Sequence, residues 1–210
     1  MAQAPERTIV SDARRAILEL IASRRATATA VPDYELPVWT ADPVAHFIAK
    51  AKASVAKVHE LTDMQDAPAR ILSILTQSNA PRRLHLPDCS RLLDLPWSSA
   101  PGLEISSTPP TGEDNALAAA DYAIAETGTL VFCSSARSAS SWHFRPGREF
   151  ALLQRAEILP RLEDVIRALR AQNMPATLNL VTGPSRTADI EQTIELGAHG
   201  PRELHILLVG

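Results

Sequence analysis

The chain has 210 residues, 45% of them hydrophobic, with 21 Lys+Arg against 24 Asp+Glu and a formal net charge of −3. That length and apolar content suit one large α/β domain with an added arm, and the near-neutral charge excludes a global field that would draw the chain to nucleic acid or an acidic membrane. The two cysteines, Cys89 and Cys133, sit at neither metal nor redox spacing, which excludes an iron–sulfur cluster of the usual kind on this chain alone.

Ser11 is placed to cap a first helix with Ile17, Leu20 and Ile21 on one face. Residues 26–43 mix Thr, Ala and Pro without a period and read as a linker, so the expected division is a helical arm and linker over 1–42 and an α/β domain over 43–210. Val44, Phe47, Ile48 and Ala51 then fall at helical spacing behind Pro43, a residue suited to the first helical position. A short strand is expected at 56–61, a helix at 67–77 with Ile71, Leu72 and Leu75 inward, and strands at 83–86 and 103–106 around a loop at 87–101. Residues 120–134 hold two apolar runs broken at Glu126-Thr127-Gly128, and a small polar loop follows at 134–141. Phe150 to Leu153 reads as a strand, and Leu162, Val165, Ile166 and Leu169 mark a helix ending near Asn173.

Residues 178–209 read as strand, loop, helix, loop, strand, the helix beginning near Ala188. Strands alternating with helices imply a mostly parallel sheet with helices covering both faces. Loops at its carboxyl edge collect ligands, because helix N-termini and backbone N–H groups point outward there. No segment approaches the roughly 20 apolar residues of a membrane span. The first residues lack the apolar centre of a secretory signal. The expectation is a cytoplasmic protein with no membrane span and no nucleic-acid partner.

Three turns carry the candidate chemistry. In Thr182–Thr187, Gly183 permits a tight turn, Ser185 or Thr187 can cap the following helix, and Arg186 offers a planar donor fork to an anion. The plain alternative is a capped helix behind a sharp turn. Glu126 beside Gly128 is either a nucleophile or general base facing a cleft, or a solvated turn residue. His199, between Gly197 and Gly200, either transfers protons near neutral pH or fixes its turn through the backbone. The cluster Trp142-His143-Phe144-Arg145 reads as an exposed loop with a partly packed aromatic, the alternative being a lid or anion-binding rim.

The phrases AETGTLV (125–131), TGPSRTADIE (182–191) and GAHGP (197–201), in this order and spacing, closely resemble the lactate-utilization protein C family of the LUD-domain group. The resemblance covers roughly 120–210. It implies the fold of the sugar-phosphate isomerase and CoA-transferase superfamily, an open, mostly parallel Rossmann-like α/β sheet. It also implies a role in oxidising L-lactate to pyruvate beside iron–sulfur partner subunits that hold the clusters, with the cofactor of this chain unknown. Glu126 and His199 become the candidate proton-transfer groups. Gly128, Gly183, Ser185, Arg186 and Thr187 become the shell for a small carboxylate or phosphate-bearing ligand. Two other readings stay open: an independent acyl or CoA transferase or phosphosugar isomerase, and a non-catalytic scaffold of an electron-transfer assembly.

Overall fold

The computed structural model describes residues 6–24, 35–135, 138–172, 174–188, 194–196 and 200–210. Two compact units divide the chain, 1–38 and 39–210. The first holds helix α1 (Glu6–Ser23), which starts earlier than Ser11. Glu6 and Arg7 are good helix formers, and a serine inside a helix costs only a few tenths of a kcal/mol, about what propensity scales assign it. Ile17, Leu20 and Ile21 of α1 are each more than half exposed.

In the second unit, α2 (Pro43–Ala53) begins with Pro43 in its first turn, capped by Asp42 Oδ1, which accepts from Val44 N at 2.9 Å. It is followed by β1 (Lys57–Leu61), α3 (Ala67–Gln77), β2 (Arg83–His85), the single-turn α4 (Ser90–Leu93) and β3 (Glu104–Ser106). Next come β4 (Asn115–Ala119), β5 (Tyr122–Ile124), β6 (Thr129–Cys133), β7 (Arg148–Gln154) and β8 (Ile158–Leu159). The chain closes with α5 (Leu162–Gln172), β9 (Leu178–Val181), β10 (Arg186–Ala188), β11 (Ile194–Leu196) and β12 (Glu203–Val209).

Six strands form a wholly parallel sheet in the order β1-β12-β7-β4-β2-β3. Its central strands are apolar on both faces, as a sheet covered on both sides requires. Leu117, Phe150, Leu152, Leu207 and Val209 pack under α3 with Ile71, Ile74 and Leu75. Ala118, Ala151, Leu153, Leu204, Ile206 and Leu208 face the other way, against Phe47 and Ala51 of α2. The α/β class and the mostly parallel sheet agree with the sequence reading.

The second face departs from it. A parallel pair needs a crossover, usually a helix, but the chain between β4 and β7 instead folds as the antiparallel hairpin β5–β6. That hairpin joins β8 and β9 in a four-stranded sheet, β8-β5-β6-β9. Ala123, Leu130 and Phe132 point from this sheet to the main one, and Ile124 and Val131 point away, under Val165 and Leu169 of α5. The strand-like run 178–181 is therefore β9 of the small sheet, outside the parallel one. The helix expected from Ala188 is corrected too: β10 and β11 pair antiparallel, Arg186 with Leu196 and Ala188 with Ile194. Thr187 and Ile194 are β-branched and suit strands.

Candidate functional site

Ligands bind to open α/β sheets at the carboxyl ends of strands where the strand order reverses. Here the chain leaves β2 toward β3 and leaves β4 toward β7, on opposite sides, so the reversal falls between β2 and β4. A crevice of about 330 Å³ opens there. Pro87 to Arg91 after β2, Ala119 and Asp121 at the end of β4, and Phe132 to Ser135 with Ser138 after β6 line it.

Its polar groups are braced. Arg91 donates from Nη1 to Ala120 O (3.1 Å) and from Nη2 to Glu157 Oε2 (2.9 Å), tying the end of β4 to the chain beyond β7. Asp121 Oδ2 accepts from Cys133 N at 2.6 Å. Although Asp121 is surface-exposed, the protein crowding its carboxyl desolvates it and raises its pKa, with the Cys133 hydrogen bonds and Arg91 pulling the other way. Desolvation and the neighbouring Asp121 push the Cys133 thiol up to about 12, so it is protonated and unreactive at neutral pH. The chain's two cysteines, 44 positions apart, thus converge on one crevice, Cys89 at the cap of α4 and Cys133 at the end of β6. The arrangement offers a carboxylate acceptor, serine hydroxyls able to donate or accept, and the Phe132 ring. That set can hold a small hydroxylated molecule.

The turns singled out from the sequence come together elsewhere. Thr129 Oγ1 lies 2.6 Å from both Thr127 Oγ1 and Thr182 Oγ1, joining the Glu126–Thr129 turn to the Thr182 turn. Ser185 N donates to Pro201 O at 2.8 Å, which adds the third turn. Gly183 abuts Ser54, which leads into β1, and Pro201 leads into β12, so this cluster lies at the amino edge of the parallel sheet. The expected carboxyl-edge placement is thereby corrected. The cause is the membership of β9 in the small sheet, whose hairpin β5–β6 runs from the crevice to the opposite edge.

Both motif glycines have a packing role. Gly128 (φ 71°) and Gly183 (φ 80°) occupy the left-handed region. A Cβ at 128 would overlap the backbone of Lys50 and Ala51, and one at 183 would overlap Ser54 O. The end of α2 they abut is its C-terminus, where the dipole repels an oxyanion. Glu126 is exposed on the hairpin turn, Arg186 is exposed at the start of β10, and Ser185 is half-buried. Thr187 lies in β10, and His199 lies outside the described residues.

Asp121, Arg91, Cys89, Cys133 and Ser138 had no signal at the level of motif. They belong to three separate segments, and only the strand order brings those together. His143 differs as well from the exposed loop expected around it. Trp142 and His143 are buried, His143 against Glu149, while Phe144 and Arg145 face solvent.

Residues 112–209 match the LUD domain. The chain is 35% identical over 81 residues to lactate utilization protein C of Anoxybacillus flavithermus, covering 39% of this chain and 37% of that protein. It is 34% identical over 87 residues to lactate utilization protein C of Halalkalibacterium halodurans, covering 39% and 38%. The match therefore spans less than half the length of these relatives. A crystal structure of a DUF162 family protein from Deinococcus radiodurans has the same fold, with a TM-score of 0.60 at 20% identity over 83% of this chain and 100% of that one. Among the described residues no helix is long and apolar enough to cross a membrane. The part of the chain that matches the LUD domain, residues 112–209, is thus the part that holds its three motifs.

Proposed function

We propose that the chain is a component of an L-lactate utilization system and holds a small hydroxy acid in the crevice between β2 and β4. The names of the relatives support the first part, and the position of the crevice at the reversal of strand order carries the second. In this reading Asp121 accepts the hydroxyl of the ligand, and hydroxyls of Ser90, Ser134 and Ser138 donate to its carboxylate. Phe132 excludes water from one side. Iron–sulfur partner subunits carry the electrons, and this chain binds and presents the acid.

The experiment is calorimetric titration of the purified chain with L-lactate and pyruvate, beside growth on L-lactate of a deletion strain of the source organism complemented with variants. Ser138→Trp, which fills the crevice, is expected to abolish binding and growth. Glu126→Gln and Arg186→Ala, at the opposite edge, are expected to leave both intact. Loss of growth in Glu126→Gln with full growth in Ser138→Trp would move the site to the turns and overturn this assignment.

A further inference from the structure

Phe132 connects the crevice to the layer behind it. It lines the crevice, and its ring stacks on His143 with centroids 3.9 Å apart and planes 24° from parallel. His143 Nδ1 lies 2.8 Å from Glu149 Oε1, and Glu149 is 0% exposed on the central strand β7. Burial raises the Glu149 pKa, and the hydrogen bond from His143 opposes it. Packing does not demand a carboxylate there. Its neighbours on the same face, Ala151 and Leu153, are apolar, and a buried ionic pair replaced as a pair by apolar residues of similar volume often gives a neutral or stabilising change.

A second buried polar side chain flanks the same ring. Asn179 is the antiparallel register partner of Phe132, so both point into the layer between the sheets. Glu149 Oε2 and Asn179 Nδ2 are buried without a hydrogen-bond partner among the described residues.

We infer that the buried His143–Glu149 pair is a positioning element for the crevice, fixing the imidazole face on which Phe132 stacks. The hydrogen bond sets the plane of the imidazole, whose χ2 is otherwise broad. Phe132 in turn sets the end of β6, where the Cys133 thiol meets Asp121. The inference rests on the crevice being the working site, and it is independent of which acid the crevice holds.

The test uses Cys133 as reporter. In the full-length Cys89→Ser chain at pH 8, the rate of Cys133 labelling by an aromatic disulfide reagent is measured beside the thermal midpoint. Glu149→Leu is expected to raise the rate about fivefold or more while the protein stays folded, the change that a small loss of local order produces. Glu149→Gln, which keeps a hydrogen bond to His143, is expected to label at the parent rate. Should Glu149→Leu fail to fold, His143→Leu is expected to give the same acceleration. An unchanged rate in a folded leucine variant, or equal acceleration in Glu149→Gln, overturns the inference. Failure of wild-type chain to bind L-lactate would instead remove the ligand assignment and leave this result standing.

Discussion

Lowering the pH from 6.5 toward 4 should weaken this protein, and the cause is a histidine pair. His205 on β12 is buried beside Phe150, its Nδ1 3.0 Å from His59 Nε2 and its Nε2 3.1 Å from Glu203 Oε2. Both rings can be neutral here, His59 donating to His205 and His205 to Glu203. Desolvation lowers His205 to about 4 from 6.5; Lys57 and His59 push the same way, and Glu203 opposes them. His59 is lowered as well, by desolvation and by Arg70 and Lys57. Between pH 6.5 and 4 the unfolded chain thus binds more protons at position 205 than the folded one, so stability rises with pH there. The contribution is complete above pH 6.5 and is lost as pH falls toward 4; at 1.36 kcal/mol per unit it amounts to about 3 kcal/mol. Because the rings are coupled, the loss belongs to the pair.

The perturbation is His205→Asn, which keeps polar atoms at the site but does not titrate. Urea unfolding at a series of pH values gives the slope of free energy against pH. Wild type should fall more steeply than the variant between pH 6.5 and 4.5. Glu203 does not mask the effect. Burial pushes Glu203 up, but hydrogen bonds from Arg148, Lys57 and His205 outweigh it and hold the carboxyl at about 2, so its loss begins only below 4.5. Parallel slopes for the two proteins across the upper window would refute the reasoning.

Three other outcomes follow from the geometry. Gly128→Ala and Gly183→Ala should each cost about 2–4 kcal/mol in urea unfolding, combining left-handed strain with overlap against the end of α2; unchanged stability with lost ligand binding would show that these turns bind instead of pack. Asp42→Ala should cost about 1 kcal/mol in the same assay, since the cap on Val44 N is removed. Asp121→Asn should lower the Cys133 thiol pKa below its value of about 12 and speed alkylation at pH 8, read by peptide mass spectrometry.

Strong periodicity was readable in this chain. The helices α2, α3 and α5 and the strands β1, β7 and β12 follow from apolar spacing, because local propensity and burial agree there. The strand β4 was hidden because Asn115-Ala-Leu-Ala-Ala is poor in β-branched residues. It is a strand because β2 and β7 supply its backbone hydrogen bonds on both sides. The hairpin break at Glu126–Gly128 was visible too, but its membership of a second sheet was not, since pairing with β8 and β9 is long-range.

The same distinction separates the two candidate sites. The motif turns stand out because glycines at positive φ and close backbone contacts restrict composition locally, and those turns do meet in space. The crevice is built of ordinary residues, Asp121, Arg91, Ser138 and two distant cysteines, with no shared pattern. Residue chemistry by itself determined an α/β domain and its tight turns. Strand order, which depends on hydrogen bonds between segments far apart in the chain, decided which edge those turns occupy and where a cavity could open.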